Sequence, residues 1–168
     1  MAEDDRETFT RWASQRQLAL LRLAVLVSGD HHRAEDLVQE ALTQVALRWR
    51  TLRDGHPEAY ARQVIVRGNI SWWRRRRESP TEYVADRAAP RDADATERAV
   101  LVRDALATLT SKQRAVLVLR YFDDLTERES AQILGVSVGT VKSQTAAALA
   151  RLRACAPELA DLHLDTGR

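Results

Sequence analysis

Side chains able to do recognition chemistry gather at three places in this 168-residue sequence. The first is Trp72-Trp73 followed by four arginines, Arg74 to Arg77. Guanidinium forks match phosphate oxygens, and aromatic faces stack on exposed bases. Basic residues near a helix C-terminus are also favoured by the helix dipole, but four in a row beside two indoles exceed that need. The second place is Ser137, Gly139, Thr140, Lys142, Ser143 and Gln144. These are short or hydrogen-bonding residues near the start of a helix, as needed to approach base edges in a major groove. The third is Asp36, Gln39 and Glu40 with Leu47, which fall opposite or beside the apolar stripe of their helix. A leucine among acids hints at a protein partner.

Bond-making chemistry finds no comparable set. His31 and His32 lie near Glu35 and Asp36, yet no further Cys or His supplies a third and fourth metal ligand, so a solvated turn is expected. Asp123 and Asp124 are adjacent and cannot both point into one helical site, and no nucleophile–base set accompanies them. There is no glycine-rich phosphate loop. The reading is a protein that is not an enzyme, with no cofactor and no metal.

The net charge of +2 conceals a pattern. Residues 1–77 and 98–156 each carry +4, residues 78–97 carry −4, and the tail from Pro157 carries −2. Two basic blocks around an acidic segment fit two modules that face nucleic acid and a solvated connection. Cys155 is the only cysteine, so no intramolecular disulfide can form, which suits a reducing cytosol. No apolar run approaches the ~20 residues that span a bilayer. Leu18–Val27 is interrupted by Arg22 and lacks a signal-peptide cleavage pattern. A cytoplasmic location without membrane attachment is expected.

Helical periodicity runs almost throughout. Residues 1–7 are polar and expected to fray. Phe9, Trp12, Leu20, Leu23, Ala24 and Val27 define a first helix from Phe9 to Ser28, and a second runs from about Arg33 to Arg48. A loop, Arg50 to His56, leads to Pro57, a good first helical residue. The third helix reaches about Arg77, with Ala61, Val64, Ile65, Gly68 and Trp72 inward. Gln63, Arg67, Arg74 and Arg77 point the other way, with Asn69 and Trp73 on the flanks. Residues 78–95 contain Pro80 and Pro90, have no sustained apolar period, and read as a linker. Helices resume at Thr96 and again after Thr110-Ser111. Thr126 and Glu129 then form a capping-box pattern, Gly135 ends that helix, and Ser137 starts another. With Ala131 where the two would cross, this is a helix-turn-helix. The fold class is all-α: two small helical domains joined by a flexible linker, at 1–77 and 96–156, before an acidic tail at 157–168.

Three segments in this order resemble the extracytoplasmic-function (ECF) sigma factors of bacterial RNA polymerase, most nearly the sigma-E-like group of actinobacteria. They are AEDLVQEAL, PEAYARQVIVRGNISWWRRRR, and the run from Leu109 to Arg153 that ends in the helix-turn-helix. The resemblance spans roughly Phe9 to Arg153. It implies an alternative sigma factor that binds core RNA polymerase and directs promoter-specific initiation. It places core binding, against the clamp of the largest subunit, on Asp36, Gln39 and Glu40, beside Leu47. It places reading and melting of the −10 element on the first domain. There the Trp49–Pro57 loop, with Arg50, Arg53, Asp54 and His56, captures a flipped base. Gln63, Arg67, Asn69, Trp73, Arg74 and Arg77 complete that surface. The −35 element falls to Ser137, Gly139, Thr140, Lys142, Ser143 and Gln144, and the same domain binds the β-subunit flap. Promoter DNA and an anti-sigma factor are the other implied partners. The alternative is a helix-turn-helix regulator that acts without being a polymerase subunit; the DLVQE face and the WWRRRR run favour the sigma factor.

Overall fold

The computed structural model describes residues 3–78 and 97–157. The linker expected at 78–95 and the acidic tail from Pro157 lie outside the described residues, save for Glu78 and Pro157 themselves. Among the described residues there is no strand, and no helix is long and apolar enough to cross a membrane.

Four helices form the N-terminal unit: α1 (Glu3–Ser28), α2 (His31–Leu47), the single-turn α3 (Trp49–Leu52) and α4 (Pro57–Glu78). Asp30 caps α2, its carboxylate accepting from the Arg33 N–H at 2.6 Å; this moves the helix start back to His31. Leu37, Val38, Ala41 and Val45 of α2 meet Ala61, Ile65 and Val66 of α4, all buried. Gly68 allows the two helices to approach, since a Cβ there would stand 3.2 Å from Leu37 Cδ2. That contact gives a packing reason for a glycine that otherwise weakens a helix interior by about 1 kcal/mol.

Two expectations change here. The N-terminus does not fray at residue 7: α1 begins at Glu3, and Asp5 is 3% exposed. The stretch Arg50 to His56 is not wholly loop, because α3 takes up its first residues. Both changes share a cause, which is that the first turns of α1 pack on α3. Phe9, Trp12 and Trp49 cluster with ring centroids 5.4–6.1 Å apart, and the Trp49 indole N–H donates to Thr8 Oγ1 at 3.0 Å.

The C-terminal unit comprises α5 (Glu97–Ala107), α6 (Ser111–Leu117), α7 (Glu127–Leu134) and α8 (Val138–Cys155). A five-residue π-helical segment, Val118–Phe122, follows α6. Thr110 with Gln113 and Thr126 with Glu129 form capping boxes, and Gly135 closes α7 at φ 68°, in the left-handed region. Ala131, Val116 and Val141 make the small core of the helix-turn-helix. The two units do not stand apart. Leu20, Val27, Ile65 and Val66 share one continuous hydrophobic core with Leu117, Val118, Leu119 and Ile133.

Candidate nucleic-acid interface

The helix-turn-helix presents its second helix by its N-terminus. Ser137 caps α8: its Oγ accepts from the Thr140 N–H at 3.1 Å and lies 2.9 Å from the Thr140 hydroxyl. Ser137 is therefore occupied in holding the helix start. Gly139, Lys142 and Ser143 are exposed, while Thr140 and Gln144 are half-buried. Lys142 Nζ lies 3.7 Å from the carboxylate of the half-buried Glu127, a long pair at the surface of the kind that contributes little. The front of α8 thus presents Gly139, Lys142 and Ser143 to solvent beside the exposed Val138.

On α4, Arg74 to Arg77 are all exposed. Trp73 is half-buried and meets Trp72 edge to face at 5.0 Å. Trp72 is not a plain core residue: it is half-buried between the guanidiniums of Arg33 and Arg76, at 5.2 and 4.9 Å from its ring centroid. Burial lowers the Arg33 pKa from its ordinary value, a neighbouring Asp36 opposes that shift, and Arg75 adds to it.

Asn69 departs from its expected place. It is fully buried, and its amide donates to the Val27 carbonyl at 2.9 Å. That carbonyl sits in the last turn of α1 and lacks a helical partner of its own. Asn69 is an internal tie between α1 and α4 rather than a DNA-facing side chain. Arg67 also has a partner. Its Nε donates to the Ile133 carbonyl at 2.7 Å and its Nη2 to the Gln132 carbonyl at 2.9 Å. It thereby caps the C-terminus of α7, directly beneath the Gly135 turn. Arg62 reinforces this contact with an ion pair to Asp123 at 2.5 Å, and Glu58 of the same helix pairs with Arg62 at 2.9 Å. Gln63 lies half-buried on the same helix.

At α3 and its following turn, Arg50, Arg53, Asp54 and His56 are exposed. Arg50 Nε donates to Asp5 Oδ2 at 2.8 Å, and Arg53 Nη1 donates to Asp5 Oδ1 at 2.7 Å. The Asp5 hydrogen bond and charge raise the Arg50 pKa above its ordinary value. Arg53 also reaches Asp54 at 3.6 Å. Sequence patterning missed Asp5 because an aspartate among Glu3, Asp4 and Glu7 reads as solvent-facing. The signal available was its spacing to Thr8, Phe9 and Trp12, which puts all four on one side of a helix.

The remaining face belongs to α2. Asp36, Gln39 and Glu40 are exposed, and Leu47 is 74% exposed. Leu47 borders a hollow lined by Ala46, Arg48, Trp49, Arg50 and Thr51. His31 and His32 both face Glu35, at 3.5 and 3.9 Å, and among the described residues no group of three or more metal-ligating side chains assembles.

Residues 7–79 match the family described as sigma-70 region 2, and residues 99–152 match sigma-70, region 4. The sequence is 42% identical over 151 residues to the RNA polymerase sigma-E factor of Streptomyces coelicolor, covering 86% of this chain and 84% of that one. It is 38% identical to the sigma-E factor of Streptomyces avermitilis, covering 91% and 87%. It is 31% identical to the ECF RNA polymerase sigma factor SigM of Mycobacterium tuberculosis, covering 88% and 76%. Among solved structures, the sigma factor RpoE in complex with the anti-sigma factor NepR from Bartonella quintana has a similar fold. Its TM-score is 0.70 at 24% identity, with 94% of this chain and 98% of that one covered. CnrH in complex with the cytosolic domain of CnrY gives a TM-score of 0.60 at 21% identity, covering 89% and 88%.

Proposed function

Because the chain belongs to the sigma-70 family of RNA polymerase sigma factors, in its extracytoplasmic-function branch, and is an alternative sigma factor directing transcription initiation, we propose how its surfaces divide that task. The N-terminal unit, residues 1–77, holds core polymerase through Asp36, Gln39, Glu40 and Leu47 of α2, against the clamp of the largest subunit. The same unit reads and melts the −10 element. The element formed by α3 and its turn, which carries Arg50, Arg53, Asp54 and His56, supplies base choice, while Arg74 and Arg77, beside Trp73, hold phosphates. The C-terminal unit, residues 96–156, reads the −35 element with Gly139, Thr140, Lys142, Ser143 and Gln144, and takes the β flap. The protein works in the cytoplasm and carries no catalytic chemistry of its own. An anti-sigma factor is its regulatory partner in this reading, a partnership that the sigma factor RpoE of Bartonella quintana has with NepR.

The observation that carries this division is the segregation of exposed side chains. The acidic and apolar set lies on α2, the basic set at the end of α4, and the short polar set at the start of α8. A protein clamp suits the first, and DNA suits the other two. The test is run-off transcription with purified core polymerase. The wild-type chain should support specific transcripts without any further factor, a result that a free-standing helix-turn-helix regulator would not give. Asp36→Arg with Glu40→Arg should abolish association with core while leaving helicity unchanged. A double variant that co-purifies with core at wild-type levels refutes the α2 assignment.

A further inference from the structure

We propose that Asp5, at the start of α1, is a positioning residue for −10 base choice. This rests on the reading that α3 and its turn make that choice. The Asp5 carboxylate is buried, and each of its oxygens accepts from a different arginine of this element, Arg50 at 2.8 Å and Arg53 at 2.7 Å. Two anchor points one turn apart fix both the position of the element and its orientation. The tie is backed by neighbours on the same side of α1. Thr8 accepts from Trp49 and donates to the Asp4 and Asp5 carbonyls, at 2.8 and 3.2 Å, and Phe9 and Trp12 pack on the Trp49 ring.

The charge matters as much as the position. Both arginine side chains remain exposed, Arg50 at 72% and Arg53 at 38%. Left alone, two such arginines would take phosphates of any sequence, because phosphate contacts carry no base information. With both guanidiniums engaged by one carboxylate, the element meets DNA through Asp54, His56 and the turn backbone instead. Asp5 thus suppresses sequence-independent attraction at the place where base choice is made.

The experiment uses holoenzyme assembled from the full chain and core polymerase, with a fork-junction DNA library randomised across the −10 positions. Asp5→Asn keeps the size of the side chain and removes its charge. It should flatten the −10 base preference severalfold and leave the −35 preference intact. It should also steepen the fall of affinity with salt, since each newly available phosphate contact adds about 0.7–0.9 to the logarithmic slope. Asp5→Glu should restore preference and slope part-way. Thr8→Ala loosens Trp49 without changing charge and should lower thermal stability with the salt slope unmoved. If Asp5→Asn leaves preference and slope as they were, or weakens all sequences alike with no change in slope, Asp5 is merely structural and the proposal is overturned. His56→Ala and Asp54→Ala separate the two levels. If they lose base preference while Asp5→Asn keeps it, the assignment to Asp5 alone fails. If they too keep it, the reading of the element itself fails and Asp5 falls with it.

Discussion

Lys142 and Gln144 sit two residues apart on α8, yet their surroundings differ. Lys142 is exposed and pairs with Glu127 at 3.7 Å, whereas Gln144 is half-buried. Neither supports the core, so Lys142→Ala and Gln144→Ala should each weaken promoter binding with no loss of fold. A phosphate contact removed weakens every sequence alike and lowers the salt slope by about 0.9, whereas a base contact removed relaxes discrimination by about 1–3 kcal/mol at one position. Filter binding of −35 variants across a salt series measures both. Unchanged affinity for both variants at every salt concentration would sink the assignment. The exposure of Gly139, Lys142 and Ser143 was legible in the sequence because Val141, Ala148 and Leu149 mark the inward stripe of α8. Asn69 was not legible. A projection of α4 puts it at the flank of a single apolar stripe, but α4 is packed on more than one side, and the flank is inside.

At the level of elements, caps carried the prediction. Thr126, Glu129, Gly135 and Ser137 each close or open a helix by local hydrogen bonds, and such bonds are written in neighbouring residues. The π-helical segment Val118–Phe122 and the start of α1 at Glu3 depend instead on distant packing, which local sequence does not display. The Thr126 box also has a pH dependence. The Thr126 hydroxyl and backbone N–H both donate to the Glu129 carboxylate, at 2.6 and 2.7 Å. They hold its pKa below the ordinary 4.5. A depressed folded-state pKa adds stability that is complete above the unfolded value and is lost as pH falls through the folded one. Thr126→Ala should therefore lower stability by about 1 kcal/mol at neutral pH. It should lose less stability than the wild type as pH falls below 4.5, read by urea denaturation at a series of pH values. An equal acid loss in both proteins would show that the box does not titrate with folding.

For the whole molecule, the sequence divided the chain correctly into two helical regions but gave no sign that they share a core. Arg67 is the reason that matters for function. Its guanidinium was expected on DNA, and in the structure it closes the end of α7 through the Ile133 and Gln132 carbonyls. A polar side chain able to serve either partner looks the same in sequence. Arg67→Ala, alone or with Arg62→Ala, should loosen the contact between the units. Small-angle scattering of the free protein should then report a larger radius of gyration, while helicity is unchanged. An unaltered radius for the double variant would mean that the shared core alone sets the arrangement. One side chain cannot cap α7 and hold DNA at the same time, so the −10 contact expected of Arg67 from the sequence would require it to release the Ile133 and Gln132 carbonyls. In that case the capped form meets the −10 element without the Arg67 contact, and apparent affinity rises with the fraction of molecules in which Arg67 has let go. A partner that favours the released form raises it without touching DNA.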